Sequence, residues 1–260
     1  IDEANAGDII AISGMSKATV ADTLGALELT TPLKAQPIDP PTLSMTFSVH
    51  DSPIGGREGD QVTSRMIGDR LKKAAEGNIA LKITESDSKD AFEVAGRGEL
   101  QLGVLIETMR REGFELSVSR PRVLMKKDEN GNTMEPIEEV VVDVDEEFSG
   151  AVVEKMGIRR GELVEMIPSQ AGNKVRLIFR APSRGLIGYH SEFLTDTRGT
   201  GIMNRLFFAY EPHKGNIEGR RNGVLISSES GEAIAYALWK LEDRGPMFVL
   251  PNSPVYTGMI

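Results

Sequence analysis

The sequence predicts an α+β protein built from two consecutive units of the same β-α-β-β-α-β order. Three observations carry that prediction. Residues 42–121 and residues 137–212 run through the same succession of elements. The first unit opens on a strict alternation of apolar and polar side chains, and in the second Val140, Val142 and Val144 share one face at the same two-residue period, that of a half-buried strand. Apolar stripes at helical spacing then follow. This order is the split βαβ, or ferredoxin-like, unit, in which both helices lie on the apolar face of one antiparallel sheet.

The first unit begins with LSMTFSV (43–49), where Leu43, Met45, Phe47 and Val49 share a face. A glycine-rich loop follows at 52–59, and Asp60 reads as the N-cap of a helix. On that helix Val62, Met66, Ile67, Leu71, Ala74 and Ala75 form the apolar stripe, and Gly77-Asn78 closes it. Residues 79–84 and 91–94 read as a hairpin. A second helix spans 99–111 with Leu102, Leu105, Ile106 and Met109 inward, and 114–118 returns as the last strand.

Asp128-Glu129-Asn130-Gly131-Asn132 reads as a tight turn into the second unit. Val140, Val142 and Val144 share one strand face, with a short helix expected over 150–158. Strands at 163–167 and 175–179 pair around Gly172-Asn173, a second helix runs from 183 to about 195 with Leu186, Ile187, His190, Phe193 and Leu194, and 202–210 closes the unit. Two flanking regions differ. Residues 1–38 hold one expected strand, 9–13, before a proline-rich linker. After Pro212 come an expected strand at 224–226 and a helix over 232–243. Ser230 is its N-cap, and Ile234, Ala237, Leu238 and Leu241 face inward. A strand at 247–250 follows.

Composition narrows the function classes. The 260 residues contain no cysteine, so disulfides and thiolate metal sites are excluded. No apolar run is long enough to span a bilayer, and the chain lacks a signal-peptide start; a cytoplasmic location is the simplest expectation. The net charge of -9 argues against non-specific coating of nucleic acid, DNA included, while leaving room for local basic patches. The chain opens at Ile1 and stops in strand-like sequence, which reads as a piece of a longer protein.

Catalytic signatures are missing. There is no P-loop and no G-x-S-x-G elbow. Gly96-Arg97-Gly98 resembles a dinucleotide fingerprint only superficially, since Leu102 stands near the place of the third glycine. His50, His190 and His213 lie far apart without ligand spacing. His190 reads as a partly buried ring, with a general base as the sharper alternative. Asp143, Asp145, Glu146 and Glu147 read as a solvated strand face rather than a cation loop. No catalytic, cofactor-binding or metal residue is therefore expected. What recurs is arginine at loop and helix ends, as at Arg110-Arg111 and Arg159-Arg160, where a helix C-terminus favours positive charge. Arginine-bearing glycine turns at 54–59, 184–188, 198–201 and 219–223 would let a backbone approach phosphate closely.

Those turns carry a resemblance. SPIGGREGDQVTSR (52–65), GRGELQLGVLIETMRREGFELSVSRPRV (96–123) and APSRGLIGYHSEFLTDTRGTG (181–201) closely resemble the TypA/BipA translational GTPases. RRNGVLIS (220–227) and LEDRGPMFV (241–249) do so as well. The resemblance covers almost the whole chain and separates it from elongation factor G and LepA, which share the domain layout. Gln101 departs from a histidine common in the family, and His50 from an asparagine.

The resemblance implies a domain map. Residues 1–38 would end a β-barrel, and 39–125 and 126–212 would be ferredoxin-like domains like the third and fifth of elongation factor G. Residues 213–260 would start a family-specific C-terminal domain. It also implies the ribosome as partner, through ribosomal RNA and A-site tRNA, in ribosome assembly and stress-responsive translation. GTP and magnesium would sit on a GTPase domain outside this chain, which would be inactive alone. Contact with RNA is expected from Lys214, Arg220 and Arg221, then from Arg184, Arg198 and Arg205. The rival expectation is a regulatory module binding a small molecule between paired ferredoxin-like domains, which requires a deep apolar pocket.

Overall fold

The computed structural model describes residues 3–15, 18, 22–34, 39–86, 88, 90–169, 172–217 and 223–260. Strand β1 (Leu43–Val49) forms where the alternation predicts, and Leu43, Met45 and Phe47 are buried. Helix α1 (Ser64–Glu76) starts later than Asp60 would place it. The Thr63 hydroxyl caps it by accepting from the Met66 N–H at 3.4 Å. The delay has a local cause: Gln61 bridges to Phe114, and its N–H donates to the Gly113 carbonyl, so 60–62 are held out of the helix.

Strands β2 (Lys82–Glu85) and β3 (Ala91–Gly96), helix α2 (Glu99–Arg111) and the short strands β4 (Leu116–Val118) and β5 (Arg122–Val123) complete the first unit. The sheet order is β2-β3-β1-β4, antiparallel throughout, with β5 also on β1. Its core joins Phe47, Ile67, Leu71, Val94, Leu102 and Met109, all essentially inaccessible.

The second unit repeats the scheme. Strand β6 (Lys126–Lys127) turns into β7 (Thr133–Asp145), with the Asp128 carboxylate accepting N–H groups of Asn130 and Asn132 at 2.9 and 2.7 Å. Helix α3 (Glu146–Ile158) begins earlier than expected. Glu146 and Glu147 sit in its first turn, where the helix dipole favours carboxylates, so they belong to no strand face. Strands β8 (Glu162–Pro168) and β9 (Lys174–Pro182), helices α4 (Ser183–Leu186) and α5 (Tyr189–Asp196), and β10 (Ile202–Pro212) follow. The order β10-β7-β9-β8 is again antiparallel, and Val140, Val142, Met156, Leu177, Phe179 and Phe193 fill the core. The helix expected over 183–195 is broken in two. Gly188 takes φ +72°, a left-handed conformation that glycine alone adopts without strain.

The flanking expectations fare worse. Residues 9–13 form no strand, and Ile9 is fully exposed. Strand backbone groups need a neighbouring strand, and none of the described residues runs beside them. Residues 224–226 and 247–250 are also irregular. Ser230 caps nothing, because the next two residues form β11 (Gly231–Glu232), which pairs with β12 (Pro254–Val255). Helix α6 therefore starts late (Ala235–Leu241) and buries none of its residues, with Ile234 and Trp239 about two-thirds exposed. Among the described residues of 223–260 only Ala233 is buried.

Candidate functional site

The cations expected to face RNA divide sharply. Arg220 and Arg221 lie outside the described residues. Arg198 sits exposed in the turn after α5, its guanidinium 5.6 Å from the Phe148 ring. The other three are committed inside the fold. Arg205 forks onto the nearly buried Glu138 at 2.8 and 3.1 Å. Lys214 reaches Glu162 at 2.9 Å and Glu211 at 3.3 Å. Burial alone would lower its pKa, but these two carboxylates outweigh that and raise it.

Arg184 is the most deeply engaged. Its guanidinium donates to both oxygens of the fully buried Glu135 carboxylate and to the Gly215 carbonyl. The same carboxylate accepts the Lys214 N–H at 2.6 Å. Burial pushes the Glu135 pKa upward, yet Arg184 and the Lys214 N–H together hold it below the ordinary carboxylate range. These groups knit 213–217 to the body of the second unit, and Arg160 adds bonds to the Asn216 carbonyl at 3.1 and 3.2 Å. In the sequence nothing marks Glu135 beyond an acid near the start of the valine-rich β7.

The glycine-rich loop at 52–59 is likewise occupied. Its Gly56, Glu58 and Gly59 N–H groups converge on the Glu115 carboxylate at 2.5, 2.6 and 3.0 Å, with His50 Nδ1 at 3.4 Å. These donors depress the Glu115 pKa and leave no vacant phosphate cradle in those three positions. Glu115→Gln should therefore raise the hydrogen-exchange rates of the Gly56 and Glu58 amides while leaving β1 unchanged. In the parent protein the same loosening is expected on acidification. A depressed folded-state pKa contributes order above the unfolded pKa and loses it as pH falls through the folded value. Equal exchange in variant and parent would show that the carboxylate does not order the loop.

Exposed cations without an ion pair among the described residues include Arg97, Arg120 and Arg198. His190 is exposed, and no described carboxylate pairs with it, which contradicts the expected partly buried ring and leaves no base assembly there. Asp143 is instead bound by Arg176 at 2.7 and 2.8 Å, and Asp145 accepts from Thr200 at 3.0 Å. No group of three His, Asp or Glu among the described residues could hold a metal ion. An open groove of about 420 Å³ lies between α1 and α2, lined by Ala74, Leu81, Leu100 and Val104. It does not lie between the two units, where a module of the rival kind would hold its ligand. No described helix is long and apolar enough to cross a membrane.

The two units touch through their most distinctive turns. The Gly188 N–H donates to Glu99 Oε1 at 3.0 Å, and Ile187 packs against the first unit's core. Comparison with known proteins follows the same division of the chain. The family model described as elongation factor G C-terminus matches residues 132–221, and that described as TypA/BipA C-terminal domain matches 222–260. Proteins named large ribosomal subunit assembly factor BipA align with the whole chain. The one from Bacillus subtilis (strain 168) is 50% identical and that from Synechocystis sp. 47%, over 42% and 43% of their own lengths. The one from Escherichia coli (strain K12) is 48% identical over 42% of its length. The chain thus spans about two fifths of these curated relatives. A crystal structure from Thermus thermophilus aligns with 69% of the chain and 42% of its own at 14% identity, with a TM-score of 0.44.

Proposed function

This chain belongs to the TypA/BipA family, and from that premise we propose that it is the ribosome-docking portion of a translational GTPase acting in ribosome assembly and stress-responsive translation. The observation that carries the reading is the alignment of all 260 residues, at about half identity, with proteins named large ribosomal subunit assembly factors. In this reading residues 1–38 finish a preceding β-barrel domain. Residues 39–125 and 126–212 are the counterparts of the third and fifth domains of elongation factor G, and 213–260 open the C-terminal domain. GTP and magnesium are held on a GTPase domain outside this chain, and the setting is cytoplasmic.

Docking on ribosomal RNA and A-site tRNA then falls to cations that the fold leaves free, with Arg198 foremost. Each phosphate contact releases condensed counterions, so affinity falls with salt by roughly one unit of log–log slope per contact. Co-sedimentation of the full-length protein with ribosomal particles over a salt series tests this. Arg198→Ala should lower the slope by about one unit. Arg184→Ala and Arg205→Ala should act on stability rather than on slope, because their charges are neutralised internally. A salt-independent association would overturn the electrostatic reading, and so would an unchanged slope in Arg198→Ala.

A further inference from the structure

Successive residues at the end of α4 and just beyond it face three different parts of the molecule. Arg184 grips Gly215 in the segment 213–217 and Glu135 in β7. Gly185 lies so close to that same region that a Cβ there would stand 2.4 Å from the Arg159 carbonyl oxygen and 3.2 Å from Ile217 Cδ1. The Gly185 carbonyl in turn accepts from Arg159 at 2.8 Å. Two residues later the chain has reached the other unit, with the partly buried Ile187 packed against the first unit's core and the Gly188 N–H on Glu99. Leu186 between them is fully buried in the second core.

We propose that this turn, 184–188, is a mechanical coupler that makes the hold on segment 213–217 depend on how the first unit is docked. The physical basis is the absence of slack. The turn is the end of the four-residue α4, one aliphatic residue and a glycine, and its central side chain is seated in a packed core, so the two ends pivot together about Leu186. Loosening the Ile187–Gly188 contact moves Arg184, and the bonds to Glu135 and Gly215 weaken with it. Anything that reorients the first unit thereby changes the tether of residues 223–260, which follow the segment. The inference stands independently of the ribosomal reading, because it concerns contacts within the chain alone.

Hydrogen exchange on the full chain tests it. Glu99→Ala removes the acceptor on the first unit only. It should speed exchange at the Gly188 amide, and also at the Lys214 amide on the far side of the coupler, by about five- to tenfold. Amides in the middle of β9 should not change. Ile187→Val provides a second and milder loosening of the same contact. The proposal is overturned if Lys214 exchange stays at the parent rate while Gly188 exchange rises. A uniform rise that includes β9 also overturns it, since that reports global destabilisation rather than coupling.

Discussion

Replacing Glu135 with alanine is expected to destabilise the second unit by about 3 kcal/mol, the lower end of the range for breaking a buried ion pair. The carboxylate is fully buried and accepts from the Arg184 fork at both oxygens and from the Lys214 N–H. Removing it leaves the Arg184 guanidinium, itself only 16% exposed, without its counter-charge. The low end applies because that residual exposure admits some water. For a unit of this size each kcal/mol moves the melting temperature by about 4–8 °C, so calorimetry will resolve the change easily. The pH dependence separates this mechanism from simple loss of packing. Glu135 has a depressed folded-state pKa, so its contribution is full above the unfolded value and is lost as pH falls through the folded one. Arg184→Ala reverses the sign. It strands a buried carboxylate whose pKa then rises, so the variant regains stability relative to the parent as pH falls. Parallel pH profiles for Arg184→Ala and parent would show that the two side chains are not coupled.

Much of this fold could be read directly from residue order. Leu43, Met45 and Phe47 point inward as their alternation demands, and α2 occupies the predicted span because Glu99 opens it and Gly113 follows its end. Local periodicity suffices for such elements, since each buries its own apolar face within one unit. Prediction failed where a distant partner decides. Asp60 does not cap α1, because Gln61 is claimed by Gly113 and Phe114 from beyond the next helix. Ser230 does not cap α6, because the next residues pair with β12. The site suffered most. Arg184, Arg205 and Lys214 have the composition of a phosphate-binding surface, but opposite charges from β7, β8 and β10 reach them only after folding. Residue type indicates that a charge is present, and only the tertiary register decides whether water or a carboxylate receives it.

Phe47→Ala and Phe179→Ala are each expected to cost about 3–5 kcal/mol, but in different halves of the molecule. Both rings are essentially inaccessible, Phe47 in the core beneath β1 and Phe179 in the core beneath β9, and the two cores share no buried residue. Truncation loses the transfer free energy of the ring and leaves a cavity that the close-packed neighbours cannot fill. Ile187 and the Glu99–Gly188 bond link the halves, yet a five- to tenfold coupling amounts to only about 1–1.4 kcal/mol. That is too little to merge two transitions when one is displaced by on the order of 20 °C. Calorimetry should therefore show one shifted and one nearly unshifted transition in each variant, with the roles exchanged between them. A single transition lowered equally by both substitutions would mean that residues 39–212 unfold as one cooperative body. The contact at 187–188 would then have to carry far more energy than one hydrogen bond and one aliphatic side chain can supply.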